Sequence, residues 1–279
     1  MRTQAVTGLA LVAMLGAGAT TARAAAIVPG AFDGNVLPGN DDGSTGLVAL
    51  GFSINFYGTD YTQVYVNNNG NITFNAPLST FTPFGLLTSS IPIIAPFFAD
   101  VDTRGDVPDT TYGTGTYEGR AAFGVNWIDV DHYLTSPDQT NRNSFQLVMV
   151  DRSDTGAGNF DFLFNYDQIQ WESGEASGST SQGCGGSSAR VGYTNGGAVD
   201  VEFDGSGVPG AFLDSGNCLA GAPNPATALI LNSFNSTVDG RYLFQVRDGS
   251  VIPPVPEPTM LALLGVGLLA AARRRFPRA

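Results

Sequence analysis

The stretch from Gly51 to Phe74, GFSINFYGTDYTQVYVNNNGNITF, most restricts how this chain can fold. Phe52, Ile54 and Phe56 alternate with Ser53 and Asn55, a period of two that gives a β-strand one apolar and one polar face. Gly58-Thr59-Asp60 turns the chain. Val64 and Val66 then share a face, and so do Ile72 and Phe74. The turn between them decides whether those faces coincide. A two-residue loop at Asn69-Gly70 would set Val66 against Thr73, apolar against polar. A three-residue loop, Asn68-Asn69-Gly70, sets Val66 against Ile72 and Val64 against Phe74. It needs Gly70 in the left-handed region, which only glycine enters without steric cost. The three-residue loop is expected, because the apolar face is then continuous across three strands in a row.

The rest of the chain repeats this grammar. Ile93 to Val101 is an apolar run of strand length, expected as a central strand. Ala121, Phe123, Val125 and Trp127 alternate within a strand from Gly119 to Val130, with His132 just beyond its end. Ser144–Asp151 and Asn159–Tyr166 read as a hairpin around Ser153–Gly158. Phe160, Phe162, Phe164 and Tyr166 share a face, whereas Ile169 and Trp171 have the opposite parity. A β-bulge near Asp167-Gln168 would return them to the core. Ala189–Tyr193, Ala198–Phe203, Ala228–Leu231 and Gly240–Val246 supply the remaining strands. The loop from Asn75 to Pro92, with Phe81, Phe84, Leu86 and Leu87, lacks periodicity and is expected to cover an end of the core. No long amphipathic helix precedes residue 259. Many short strands separated by turn signals predict a mainly β protein, a β-sandwich-like two-sheet domain.

The two ends read differently. Residues 1–26 have a charged start at Arg2, an apolar core from Val6 to Ala19, and small-x-small cleavage patterns at Ala22-Arg23-Ala24 and Ala24-Ala25-Ala26. These are the parts of a secretory signal. Residues 27–46 form a polar leader with a turn at Asn40-Asp41-Asp42-Gly43, and the fold is expected to begin near Leu47 and to occupy residues 47–250. Residues 251–258, VIPPVPEP, are a stiff Pro-rich linker. Residues 259–279 hold an apolar, helix-prone run from Thr259 to Ala272, closed by Arg273, Arg274 and Arg275. As a helix those 14 residues would span about 21 Å, short of a hydrocarbon core of about 30 Å. The arginines would stay in the cytoplasm and leave the β domain outside, with the chain transiently anchored in the inner membrane.

The chain has no lysine, and all 13 basic residues are arginine. Between Ile27 and Val255 there are 7 arginines against 24 acidic residues, a net charge of −17. That balance excludes nucleic acid and anionic membrane surfaces as partners. It leaves a solvated acidic exterior or divalent cations. Asp100 and Asp102 alternate at a strand end, with Asp106 as a third carboxylate, and this arrangement suits Ca²⁺. An EF-hand does not fit, because Arg104 takes the fifth loop position and Thr111 the twelfth. Arg104 is the competing partner for these carboxylates. Arg104-Gly105-Asp106 also spells an integrin-binding tripeptide, which a chain rich in Gly and Asp contains by chance. Glu172 and Glu175 invite a glycosidase reading but lie in a Gly/Ser-rich loop with nothing to desolvate them. His132, the only histidine, has no Cys or Glu close by in sequence. Cys184 and Cys218, the only cysteines of an exported chain, are expected to pair.

Five segments, in order, carry a resemblance to the nidogen-like (NIDO) extracellular domain. They are Phe56-Tyr57-Gly58 through Phe74, Ile94 to Asp102, Asn143 to Val148, Phe160 to Trp171, and Ala189 to Asn195. One departure is Phe98, where the family more often has Trp. Pro256-Glu257-Pro258, the apolar run and the arginine cluster together resemble the PEP-CTERM sorting signal of exopolysaccharide-producing Gram-negative bacteria. The first resemblance implies an extracellular, matrix- or adhesion-associated module without enzymatic activity. The second implies processing by an exosortase and a final place at the cell surface or outside the cell. The expected partners are extracellular polysaccharide or matrix and surface proteins.

Overall fold

The computed structural model describes residues 25–135, 141–197 and 199–252. In chain order its strands are β1 (Asn35–Leu37), β2 (Val48–Phe56), β3 (Thr59–Asn67), β4 (Asn71–Thr73), β5 (Pro92–Phe98), β6 (Val101–Asp102) and β7 (Thr110–Tyr117). They continue as β8 (Arg120–His132), β9 (Asn143–Asp151), β10 (Phe160–Ile169), β11 (Arg190–Asn195), β12 (Asp200–Glu202), β13 (Arg241–Arg247) and β14 (Ser250–Val251). They form two antiparallel sheets. The larger runs β1-β7-β8-β9-β10-β13-β14, with β6 alongside β8, and the smaller runs β12-β11-β5-β4-β3-β2. The sheets face each other across one aromatic core. Phe97 of β5 meets Phe145 of β9 at 5.3 Å, Tyr193 of β11 meets Phe162 of β10 at 5.3 Å, and Phe56 of β2 meets Phe160 at 6.3 Å.

The local readings hold where alternation is strong. Val66 pairs with Ile72 across a turn in which Gly70 has φ +70°, and Val64 and Phe74 both turn into the core. The register of β10 against β9 slips between Tyr166 and Gln168, and Ile169 and Trp171 are buried as a result. Phe52 is only partly buried, because β2 slips against β3 between Ala49 and Ile54 and Leu50 takes the inner position. Cys184 and Cys218 form a disulfide with Cα atoms 5.2 Å apart, closing a separation of 34 residues. On the chain-entropy account a loop of that length contributes about 3–4 kcal/mol.

Three expectations are corrected, and one strand lies outside them. The fold begins before Leu47, because β1 pairs with β7 and Phe32 is buried over the large sheet. Phe32 fits there because Gly115 and Gly124 beneath it have no side chains, and a Cβ on Gly124 would overlap its ring. β7, rich in Thr and Gly, is a full strand that its weak hydropathy concealed. Ala228–Leu231 is not a strand. Leu229–Leu231 form a single 3₁₀ turn that buries Leu229 and exposes Leu231. The loop after β4 covers the outer face of the small sheet, where Leu78, Phe84 and Leu86 pack on Ile93, Ala95 and Phe98. The small sheet's outer face and part of the large sheet's are therefore covered, which explains why β5 and β9 are buried along nearly their whole length. Among the described residues no helix is long and apolar enough to cross a membrane, and Thr259–Ala272 lies outside them.

Gly70 and Gly58 separate backbone strain from overlap. Both have positive φ, but a Cβ on Gly70 would strike the carbonyl of Phe97, while a Cβ on Gly58 meets nothing within 4 Å. Gly58→Ala is expected to cost about 1–2 kcal/mol in denaturant unfolding. Gly70→Ala is expected to cost more than about 4 kcal/mol or to prevent recovery of folded protein. Equal costs would show that the Gly70 turn relaxes freely.

Candidate functional site

One end of the sandwich gathers the acidic residues. Asp100 lies between β5 and β6, where the strand pattern is broken, and its carbonyl accepts from the Tyr133 amide at 3.0 Å. Its carboxylate is buried against Gly174, where a Cβ would overlap it, and accepts from Ser177 Oγ at 3.3 Å. The Asn40–Gly43 turn approaches from the other side. Asn40 Oδ1 accepts from the Gly43 amide at 2.6 Å, which presents Asp41 and Asp42 toward Asp100. One oxygen from each of Asp41, Asp42 and Asp100 lies within 4.8 Å of the others.

Asp102 is not in this set. Its carboxylate accepts from the Arg104 amide at 2.8 Å, from Nε at 3.0 Å and from Nη2 at 2.8 Å. Arg104 also reaches Asp41 at 3.2 Å. Asp106 is exposed. The alternation expected of Asp100 and Asp102 fails because the strand between them is interrupted, so the two carboxylates serve different neighbours. Desolvation, then repulsion from Asp41 and Asp42, pushes the Asp100 carboxyl up to about 7. Burial, then the charges of Asp102 and Asp42, pushes Asp41 up to about 6. Oxygen-only ligands of this kind share protons near neutral pH or suit a hard cation.

Glu172 and Glu175 do not form a pair. Glu172 is buried and accepts from the amides of Gly210 at 2.5 Å and Phe212 at 2.7 Å, pinning that loop. Burial outweighs these donors and pushes it up to about 7. Glu175 instead caps the amide and hydroxyl of Thr135, at 2.8 and 2.5 Å. His132 ends β8, which runs two residues past the expected strand. It is buried against Trp171 at 5.3 Å, and burial lowers it to about 4, so it is neutral at physiological pH.

The sequence did not reveal a groove of about 1070 Å³ on the outer face of the large sheet. Its floor is Val150, Leu163 and Leu243, and its walls include Tyr117, Arg120 and the 233–238 loop. Arg120 pairs with Asp154 at 2.8 Å, Arg152 with Asp161 at 2.6 Å, and Arg241 lies over the Tyr117 ring at 6.0 Å. These residues come from five strands and two loops, and the registers of the sheet bring them together.

The raised carboxyls fix the sign of a pH dependence. In the folded state Asp41, Asp100 and Glu172 hold protons more tightly than unfolded carboxyls do, so stability falls as pH rises from about 4 through about 7. Buried, neutral His132 opposes this only between about 4 and 6.5. The melting temperature is expected to be higher at pH 5 than at pH 8. Asp100→Asn should raise it at pH 8 and flatten the profile. A profile that rises from pH 5 to pH 8 would refute the uncompensated burial of these groups.

Residues 62–248 match the nidogen-like domain, and residues 254–275 match the PEP-CTERM protein-sorting motif. Human alpha-tectorin is 35% identical over 240 residues, covering 78% of this chain and 10% of that protein. Mouse nidogen-1 is 28% identical over 168 residues, covering 51% of this chain and 13% of that protein. Drosophila melanogaster nidogen is 25% identical over 162 residues, covering 49% and 12%. The chain thus spans about a tenth of the length of these curated relatives. No solved structure matches it. With its two-sheet fold and the family match over most of its length, the chain belongs to the nidogen-like domain family and is an extracellular protein carrying a PEP-CTERM sorting signal.

Proposed function

We propose that the domain is a non-catalytic adhesion module that binds or organises extracellular polysaccharide at the surface of an exopolysaccharide-producing bacterium. The observation that carries this reading is where its acidic residues are engaged. Glu172 is gripped by two backbone amides and Glu175 is spent on Thr135, so the carboxylate pair that the sequence offers for hydrolysis is not arranged across a cleft. The family resemblance points the same way. The surface assigned to the polysaccharide is the groove over the large sheet. Three of the seven arginines between Ile27 and Val255 line it, in a segment of net charge −17, and the Tyr117 ring offers an apolar face to a sugar. Matrix or surface proteins are the alternative occupants.

Retention of the exported protein on polysaccharide extracted from the host matrix tests the reading. Arg120→Glu, at a side chain 41% exposed, should weaken retention about tenfold, the worth of roughly 1.4 kcal/mol. Unchanged retention would remove the groove from the proposal, and no retention of the wild type would remove the polysaccharide. The assay is run with and without Ca²⁺. Binding of Ca²⁺ at the Asp41, Asp42 and Asp100 carboxylates would also raise the melting temperature by linkage.

The tail decides where the protein works. Pro256-Glu257-Pro258 is the segment offered to an exosortase, and the charges of Arg273, Arg274 and Arg275 oppose transfer of the tail across the bilayer. Glu257→Ala should leave the precursor in the inner membrane. Peptides from Arg273 to Ala279 recovered still joined to the exported domain would make the tail a permanent anchor.

A further inference from the structure

We propose that the export signal is cut between Ala24 and Ala25, and that the freed segment from Ala25 to Leu37 is a strap that closes the outer face of the large sheet. The sequence offers two small-x-small patterns, one ending at Ala24 and one at Ala26. The fold distinguishes them. Ala26 is 1% exposed. Its amide donates to Asp167 Oδ1 at 2.9 Å, and its carbonyl accepts from Arg241 Nη2 at 2.6 Å. A Cβ on Gly240 would come within 3.3 Å of its methyl group. A cut after Ala26 would delete a residue that the fold buries and hydrogen-bonds on both sides. Ala25 is exposed, so a cut before it removes none of these contacts.

Arg241 does not hold the strap alone. Asn126 of β8, Gln146 of β9, Asn165 of β10 and Arg241 of β13 stand opposite one another in four neighbouring strands. Gln146 Nε2 donates to Asn126 Oδ1 at 2.7 Å, Asn165 Nδ2 to Gln146 Oε1 at 2.9 Å, and Arg241 Nε to Asn165 Oδ1 at 3.1 Å. This polar row also contacts the strap backbone. Asn126 Nδ2 donates to the Ala31 carbonyl at 2.8 Å. Gln146 bonds both the amide and the carbonyl of Val28, each at 3.2 Å. Arg241 closes the series at Ala26. An amide side chain donates and accepts at once, so it can link its neighbours in the row and still serve a peptide backbone laid across the strands. Phe32 and β1 then fix the far end of the strap.

The covalent step is hydrolysis by a signal peptidase. Water cleaves the Ala24–Ala25 amide, leaving a carboxylate on Ala24 and an amine on Ala25. That amine is protonated at neutral pH and lies one residue from the contact with Asp167, so the cut adds a cation near an anion already in place. The proposal rests on export of the chain and not on the polysaccharide reading, so each can fail without the other.

N-terminal sequencing of the protein recovered outside the cell is the test. The expected start is Ala-Ala-Ile-Val-Pro, from Ala25. A start at Ile27, or anywhere else, would overturn the assignment. The strap is tested separately in the full chain with Asp167→Ala, an exposed side chain. This variant should be cut at the same bond and melt about 2–4 °C lower, the shift expected for roughly 1 kcal/mol in a domain of this size. An unchanged melting temperature would show that this end of the strap is not held.

Discussion

Asparagine side chains in one tight turn hold the two sheets to each other and to the segments around them. Asn67, Asn68, Asn69 and Asn71 are all buried, and all four amides find partners. Asn68 Nδ2 donates to the Val101 carbonyl at 2.6 Å while its Oδ1 accepts from Thr103. Asn69 Oδ1 accepts from the Val101 amide at 2.9 Å, and Asn67 Oδ1 accepts from the amide of Leu78 at 3.0 Å. The main chain contributes too, because the Asn68 carbonyl accepts from the Trp127 indole of the opposite sheet at 3.0 Å. A buried donor or acceptor left unpaired costs about 1–3 kcal/mol. This turn packs amides, carbonyls and an indole where strands of both sheets end, and no apolar residue could satisfy them.

From that point the structure grows as layers. The aromatic core lies between the sheets, while Phe32 and the strap cover one outer face and Leu78, Phe84 and Leu86 the other. Covering the outer faces changes what residues are tolerated there. Gly115 and Gly124 leave room for a phenyl ring, and a row of amides receives a peptide backbone that would otherwise need water. The groove is the part of the large sheet's outer face that the strap leaves open.

Charge is handled differently at different depths. On the outer face Arg152 and Arg247 both neutralise the poorly exposed Asp161, at 2.6 and 2.7 Å. At the end of the sandwich three carboxylates converge with Arg104 at their rim, and desolvation and mutual repulsion are left partly uncompensated. Such a site either holds protons or accepts a cation. Its acidity is a consequence of the Asn40–Gly43 turn docking beside the asparagine turn, through Asn69 Nδ2 donating to Asp42 at 2.8 Å.

The sequence by itself determined whatever depends on neighbours a few residues apart. Period-two alternation marked β2 to β4, β8 and β10, an apolar run of strand length marked β5, and a hairpin pattern marked β9. The steric privilege of glycine set the turn at Gly70, and a change of parity located the bulge after Tyr166. Two cysteines in an exported chain left one simple pairing. Tertiary structure decided what depends on residues distant in the chain. β1 and β7 are polar or glycine-rich and become strands only because a paired edge and Phe32 stabilise them. Asp100 joins Asp41 and Asp42, some 60 residues earlier, and not its near neighbour Asp102. The polar row under the strap draws one residue from each of four strands. Hydropathy records which side of its own strand a residue faces, whereas register between strands and the docking of loops decide what it meets there.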